Sequence, residues 1–145
     1  MLEYNTKHLS LSELTTFLQD TKGEFPISLD LLLDLNGYAE KLHSYATFIN
    51  CFNDGELVGL LCCYMNHPPT AYISNVCVKS SFQGLGIFKS MFTMLITKCA
   101  EHGFSKIRLE VDNRNVKAMY AYTAVGFVDI ADKAKEYTHY MEKNV

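Results

Sequence analysis

A glycine-rich turn constrains this chain more than any other feature. Gln83-Gly84-Leu85-Gly86 follows an apolar segment that ends near Val78, and a helical pattern begins at about Gly86. The start of a helix leaves backbone N–H groups unpaired and carries partial positive charge, and the two glycines remove Cβ atoms that would keep a diphosphate away. Lys89 falls in the first helical turn, where a cation opposes the helix dipole unless an anion lies nearby. The pattern therefore predicts an anion site, and the alternative is a plain strand-to-helix turn.

Length and charge indicate one soluble domain spanning residues 1–145. The chain has 145 residues, enough for a substantial core, and its net charge is −3 with no basic stretch, so nucleic-acid binding is not expected. The longest apolar runs, such as Ser28–Leu35, are too short to cross a membrane. Met1–Tyr4 lacks the cationic and apolar regions of a secretory signal, which favours a cytoplasmic location.

The cysteine pattern favours buried, reduced thiols. Five cysteines are an odd number, and they lie within apolar segments at positions Cys51, Cys62, Cys63, Cys77 and Cys99. There is no C-x-x-C pair and no Cys/His cluster with zinc-ligand spacing, so neither a disulfide framework nor a metal site is expected.

The N-terminal half predicts two helices followed by a hairpin. Ser10-x-x-Glu13 is a capping box that opens a helix reaching about Asp20. A second helical stretch begins at Ser28 or Asp30, is interrupted at Gly37 and resumes to about His43. A strand from Ala46 to Phe52 then turns at Asn53-Asp54-Gly55 into the partner strand Glu56–Met65, and His67-Pro68-Pro69 ends it.

The C-terminal half alternates strands and helices. Strands are predicted at Ala71–Val78, Ile107–Val111, Phe127–Ile130 and Tyr137–Glu142, and helices at Gly86–His102 and Val116–Val125. Gly103 and Gly126 end the two helices. This order predicts a mixed α/β fold with helices on the faces of one sheet.

Two motifs in this half resemble those of one known superfamily. Gln83-Gly84-Leu85-Gly86-Ile87 looks like the Q/R-x-x-G-x-G/A motif of the GNAT acyl-CoA-dependent N-acyltransferases. Asn115-x-x-Ala118-x-x-x-Tyr122-x-x-x-Gly126-Phe127 resembles the next block of that superfamily, with every marker residue in register. The similarity covers about Tyr45 to Glu142, and the preceding residues match only as two helices. The resemblance implies a mostly antiparallel central sheet with helices on both faces.

The resemblance also implies where acetyl-CoA would bind. The strand Tyr72–Val78 would splay from the strand Lys106–Val111, and pantetheine would enter the resulting wedge. It would contact the first strand at Val76, Cys77 and Val78, and Asn115 would hydrogen-bond the pantetheine arm. The diphosphate would lie on the turn formed by Gln83, Gly84, Leu85, Gly86, Ile87 and Phe88. The superfamily usually has Gly or Ala at the position of Phe88, so we expect this ring to turn into the core beside Phe92.

Transfer to an amine requires a neutral nucleophile. An amine of pKa ~10.4 is neutral in only about 1 of 2,500 molecules at pH 7, so a base is useful. The superfamily sometimes uses a glutamate at the position of Glu110, on the strand lining the wedge. The alternatives are a simple surface ion pair of Glu110 with Arg108, a water relayed through Tyr72, Ser74 and Asn75, or His139 as the base.

Tyr122 matches the general acid of the superfamily. A tyrosine of pKa ~10 is a weaker acid than a thiol of pKa ~8.5, so hydrogen bonding to the departing sulfur is at least as plausible as full protonation. The alternative for Tyr122 is packing within an amphipathic helix, and this is the role expected of Tyr120.

These observations favour an acetyl-CoA-dependent N-acetyltransferase acting on a primary amine. A second hypothesis is a non-catalytic acyl-CoA-binding or regulatory module on the same scaffold, and a third is an interaction domain that binds no coenzyme A. The acceptor would be a small-molecule or peptide amine, for which the chain carries no recognisable motif. A homodimer is left open.

Overall fold

The computed structural model describes residues 1–24, 34–130 and 137–145. The α-helices in these parts are α1 (Leu11–Thr21), α2 (Leu35–Tyr45), α3 (Ile87–Glu101) and α4 (Val116–Ala124), with short 3₁₀ turns at Lys22–Glu24 and Ser80–Phe82. The strands are β1 (Leu2–Asn5), β2 (Thr47–Asn53), β3 (Glu56–Tyr64), β4 (Thr70–Val78), β5 (Lys106–Asp112), β6 (Val128–Ile130) and β7 (Thr138–Asn144).

The seven strands form one mixed sheet in the order β1-β2-β3-β4-β5-β7-β6. Neighbouring strands are antiparallel except β4 and β5, which run parallel. The predicted α/β fold with a mostly antiparallel sheet is therefore confirmed. The sequence pattern did not predict β1, because four residues are too few to show a clear alternation.

Each face of the sheet is covered by helices, which divides the core into two layers. The layer beneath α1 and α2 includes Leu14, Phe17, Leu18, Ala39, Leu42, Phe48, Leu60, Cys62 and Cys77. The layer beneath α3 and α4 includes Leu61, Ile73, Ile87, Met91, Phe92, Leu95, Leu109, Tyr122, Phe127 and Met141. All five cysteines are buried and free, as their apolar contexts predict. No helix in the described parts of the chain is long and apolar enough to span a membrane.

The N-terminal helices begin at polar caps. Ser10 and Glu13 form the predicted capping box of α1. Asp34 caps α2 through a hydrogen bond from the Gly37 N–H to its carboxylate, at 3.1 Å. The prediction that Gly37 interrupts this helix was wrong, because Gly37 lies in the first turn, where the Asp34 cap satisfies its N–H. The predicted caps at Ser28 and Asp30 lie outside the described residues.

A β-bulge interrupts the pairing of β3 with β4. Cys62 pairs with Asn75 and the next residue, Cys63, pairs with Ile73, so Ser74 is an extra residue in β4. Such a bulge bends the strand and increases its twist. It directly follows Ile73, the last residue at which β4 pairs with β5. The bulge therefore turns β4 away from its parallel neighbour.

Candidate functional site

The parallel strands β4 and β5 separate into a wedge. They pair only from Thr70–Lys106 to Ile73–Leu109, although β4 continues to Val78 and β5 to Asp112. Beyond Ile73 the backbone of β4 has no pairing with β5, and such a strand edge can pair with an extended ligand. Val76, Cys77 and Val78, which were predicted to contact pantetheine, lie on this separated part of β4.

The predicted anion site is an open turn at the start of α3. Gly84 and Gly86 have φ angles of 82° and 80°, a left-handed conformation that favours glycine. A Cβ atom at either position would meet no protein atom within 4 Å, so the outer side of the turn is open. Gly86 is the N-cap and supplies no side-chain acceptor, and the first turn of α3 holds no acidic residue. The helix N-terminus therefore has neither a side-chain cap nor an acidic side chain in its first turn.

Gln83 joins this turn to two other elements. Its Nε2 donates to the carbonyl of Val78 at 3.0 Å, at the end of β4. Its Oε1 accepts from Lys117 Nζ at 2.5 Å, in the first turn of α4. The sequence placed Gln83 in the turn, but Lys117 was not foreseen as its partner. The result is that the glycine turn, the end of β4 and the start of α4 are linked at one end of the wedge.

Phe88 turns toward the core, as predicted. Its ring centroid is 4.7 Å from that of Phe92 and 5.6 Å from that of Tyr122, and the ring is half-buried. The preceding residue, Ile87, is buried, whereas Leu85 is 59% exposed. The bulky ring at position 88 is therefore kept out of the glycine turn.

Gly59 on β3 allows α3 to approach the sheet closely. A Cβ atom built at Gly59 would lie 2.9 Å from Cγ2 of Ile87, the first residue of α3. Contacts this short do not occur without a shift of one partner. Sequence analysis missed this glycine, because its only signal is a Gly within an apolar strand.

Tyr122 lies in an aromatic cluster on the α3 and α4 face of the sheet. Its ring centroid is 5.6–5.9 Å from those of Phe88, Phe92 and Phe127. Burial raises the pKa of Tyr122 well above its ordinary value. Its hydroxyl makes no hydrogen bond to the residues that the structure describes. The group can therefore donate a hydrogen bond, but it is a poor donor of the proton itself.

Tyr120 does not pack as predicted. It is 74% exposed, while Tyr122 is buried. Two residues along an α-helix correspond to a rotation of about 200°, which places the two side chains on opposite sides of α4. The prediction that Tyr120 packs was wrong for this geometric reason.

Asn115 is the N-cap of α4. Its Oδ1 accepts a hydrogen bond from the Ala118 N–H at 3.2 Å. This role explains the residue type at the start of the helix. It engages only the carbonyl end of the side-chain amide, so Nδ2 is the atom with which Asn115 would donate to a ligand.

Glu110 and Arg108 lie on one face of β5 and contact different partners on β7. Glu110 accepts a hydrogen bond from Thr138 Oγ1. Arg108 donates to Glu142 at 2.9 Å and forms no ion pair with Glu110, so the alternative of a simple Glu110–Arg108 surface pair was wrong. Arg108 and Lys106 hold the pKa of Glu142 below its ordinary range.

The other candidate routes for the proton are separated by the sheet. His139 pairs with Val111 and therefore points to the face opposite Glu110, with its Nδ1 2.6 Å from Asn113 Oδ1. On the Glu110 face, the Tyr38 hydroxyl donates to the Ser74 carbonyl at 3.0 Å and lies 2.8 Å from its Oγ. In the described residues, no three His, Cys, Asp or Glu side chains group in a way that would hold a metal ion.

Comparison with known proteins agrees with this geometry. A sequence model described as the Acetyltransferase (GNAT) family matches residues 11–127, whereas no curated protein matches the chain. A GNAT-family acetyltransferase of Staphylococcus aureus Mu50 is similar in structure, with TM-score 0.78, 21% identity and 99% of each chain covered.

Two further solved structures share the fold. PaiA N-acetyltransferase of Thermoplasma acidophilum, in complex with coenzyme A, has TM-score 0.78 and 18% identity, covering 100% of this chain and 99% of its own. The ribosomal-protein-S18-alanine N-acetyltransferase of Escherichia coli has TM-score 0.77 and 17% identity, covering 100% and 94%. The family match over most of the chain decides the assignment: this protein belongs to the GNAT acetyltransferase family.

Proposed function

We propose that this protein is an N-acetyltransferase that moves an acetyl group from acetyl-CoA to the primary amine of a small molecule or peptide. The observation that carries the proposal is the wedge between β4 and β5, which opens beyond Ile73 and Leu109 and has an open glycine turn at its end. A strand edge beside an anion site suits a ligand with an amide-containing arm and a diphosphate.

The residues around the wedge fit coenzyme A. Backbone N–H groups from Gly84 to Phe88 would bind the diphosphate, since the turn is open and its helix lacks an acidic first turn. The exposed backbone of β4 at Val76–Val78 would pair with the pantetheine amides. Asn115 would donate from its Nδ2, because its Oδ1 is held in the helix cap. PaiA, which shares the fold, forms a complex with coenzyme A, and this supports coenzyme A as the ligand.

The reaction requires one bond to form and one to break. The amine nitrogen attacks the thioester carbonyl, the C–S bond breaks, and coenzyme A leaves while the nitrogen loses a proton. The acceptor enters as an ammonium, so Glu110, on the strand that lines the wedge, would accept its first proton before the attack, and the proton lost during the transfer would end on the coenzyme A sulfur. Tyr122 would donate a hydrogen bond to the departing sulfur, a role that its raised pKa favours over complete proton transfer.

A second candidate is a non-catalytic acyl-CoA-binding module. The specific observation in its favour is the burial of Tyr122, which raises the pKa of the hydroxyl and weakens it as an acid. Such a module would bind acetyl-CoA through the same wedge but would release no thiol in the presence of amines.

The test combines binding with turnover. Acetyl-CoA should raise the melting temperature of the purified protein. Free thiol should then appear when diamines, amino alcohols, amino-acid amides and short peptides are added in turn. Binding without thiol release from any amine would support the non-catalytic module. The absence of both would overturn the proposal and this alternative together.

A further inference from the structure

Three carboxylates share one face of the sheet beside the wedge. Asp112 lies 3.1 Å from Arg114, and Glu142 contacts both Arg108 and Lys106 at 2.9 and 3.4 Å. Glu110 lies between them in the strand registers, on the same face. Within residues 1–24, 34–130 and 137–145 it has a hydroxyl partner, Thr138, and no cation within 4 Å. Asp112 and Glu142 each have a cationic partner, so Glu110 differs from both of its neighbours on this face.

Arg108 shows how this face holds a cation. Its guanidinium carbon is 5.8 Å from the centroid of the Tyr140 ring, while its Nη2 donates to Glu142. The cation thus has an aromatic ring on one side and a carboxylate on another, an arrangement that is stabilising in proteins.

Tyr72 and Glu110 offer the same two kinds of partner. Tyr72 on β4 pairs with Arg108, and Glu110 lies two residues farther along β5 on the same face, toward the wedge. Burial raises the pKa of Tyr72 to about 12; the nearby Glu110 and Tyr140 add to this effect, and Arg108 opposes it. The phenol therefore stays neutral at physiological pH and adds no charge of its own. The cation beside Tyr72, Arg108, is bound to Glu142, and among the described residues Glu110 forms no ion pair.

We propose that the acceptor binds as a primary ammonium between the Glu110 carboxylate and the Tyr72 ring, and that it carries no carboxylate near this nitrogen. The inference rests on the proposed acetyl transfer and names its substrate class: alkylamines, polyamines and amines whose carboxylates are blocked as amides. Glu110 first pairs with the ammonium and then accepts one of its protons, which passes to water. The neutral amine attacks the thioester, and the proton that it loses during the transfer ends on the coenzyme A sulfur. A carboxylate a few bonds from the nitrogen would be held against Glu110, and like charges in close contact oppose binding.

The test uses four amines with the same four-carbon chain: butylamine, 1,4-diaminobutane, 4-aminobutanamide and 4-aminobutanoate. We expect kcat/KM, measured by thiol release from acetyl-CoA, to be at least about tenfold lower for the carboxylate than for the amide. The amide is the matched control, because it differs from the acid in charge but hardly in size. Equal or higher kcat/KM for 4-aminobutanoate would overturn the inference.

Two variants separate the Tyr72 ring from its hydroxyl. Tyr72→Leu should raise KM for 4-aminobutanamide by about fivefold, while Tyr72→Phe, which keeps the ring, should stay within about twofold of the parent protein. Tyr45→Leu replaces a tyrosine that is 64% exposed and serves as the control. Equal KM values for the Leu and Phe variants would show that the Tyr72 ring is not part of the ammonium site. The melting shift with acetyl-CoA shows whether each variant is folded.

The outcomes distinguish this inference from the proposed function. Thiol release with a preference for amino acids would contradict the proposed ammonium site, but it would still support acetyl transfer. If acetyl-CoA binds but no amine is turned over, butylamine is titrated into the coenzyme A-bound protein by calorimetry. No heat in that titration overturns the ammonium site, and binding that Glu110→Gln abolishes supports it.

Discussion

Ile73 and Leu109 are the last residues at which β4 and β5 remain paired. The bulge residue Ser74 comes next, and the Tyr38 hydroxyl on α2 bonds both its carbonyl and its hydroxyl oxygen. The separation of the strands is therefore held by bonds of the chain itself. Every proposed role of this protein depends on that opening.

Acetyl-CoA should stabilise the protein through the glycine turn. At a concentration of 100 times Kd, the free energy of unfolding should rise by about 2.7 kcal/mol, measured by thermal melting. Gly86→Val should weaken this effect by crowding the diphosphate. Gly103→Val is a matched control, because Gly103 also has a φ of 80° and open space, but at the other end of α3. Equal loss of acetyl-CoA affinity in both variants would place the diphosphate elsewhere.

Tyr122→Phe should lower kcat by on the order of 10²-fold and leave acetyl-CoA affinity nearly unchanged. The substitution removes the hydroxyl and keeps the ring in the aromatic cluster. Tyr120→Phe on the same helix is the control, since Tyr120 is 74% exposed and should tolerate the change. Normal turnover in the Tyr122→Phe enzyme would show that this hydroxyl has no catalytic role.

Glu110→Gln should lower turnover most at low pH. An amine is protonated there and needs a base, whereas near its own pKa the amine is already neutral. Assays from pH 6 to 10 with one acceptor should therefore show a loss that shrinks as pH rises. Glu101→Gln, at the exposed end of α3, is the control. A loss that is constant with pH would indicate that Glu110 positions the acceptor without acting as its base.

Gly59→Ala should displace the start of α3. The new Cβ would lie 2.9 Å from Ile87 Cγ2, so the helix or the strand must shift. We expect about 1–3 kcal/mol of destabilisation in urea unfolding and weaker acetyl-CoA binding, because Ile87 follows the glycine turn directly. At Gly23 a Cβ would meet no atom of the described residues within 4 Å, which makes Gly23→Ala the control. An unchanged acetyl-CoA affinity would show that the Gly59–Ile87 contact does not influence acetyl-CoA binding.

Glu142 should contribute stability that is lost in acid. Arg108 and Lys106 depress its pKa in the folded protein, so its contribution is present above about pH 4.3, the ordinary pKa of glutamate, and is lost as pH falls through the depressed value. Glu142→Gln should therefore be less stable than the parent protein at pH 7, and the difference should shrink in more acidic buffers. Urea unfolding at several pH values measures it. A difference that does not change with pH would exclude the charge as its cause.

Local signals in the sequence predicted most of the elements. The capping box at Ser10 and Glu13, the hairpin turn at 53–55 and the glycines that end α3 and α4 act over a few residues, so their patterns can be read directly. The same is true of the glycine turn before α3 and of Asn115, which caps α4. The order of these motifs was enough to indicate the GNAT fold, and the structure and the family match confirm it.

Relationships between distant residues required the tertiary structure. The bulge at Ser74, the contact of Gly59 with Ile87 and the link of Gln83 to Lys117 depend on which strands and helices become neighbours. The ion-pair partners of the charged side chains also depend on which strands become neighbours. Arg108 could have paired with Glu110 two residues away, but the register of β5 with β7 brings Glu142 opposite it. The sequence by itself determined most of the elements and the glycine turn before α3, because those depend on local backbone chemistry. Only packing decided that Glu110 faces the wedge without a cation from the described residues, because strand register assigns each side chain its neighbours.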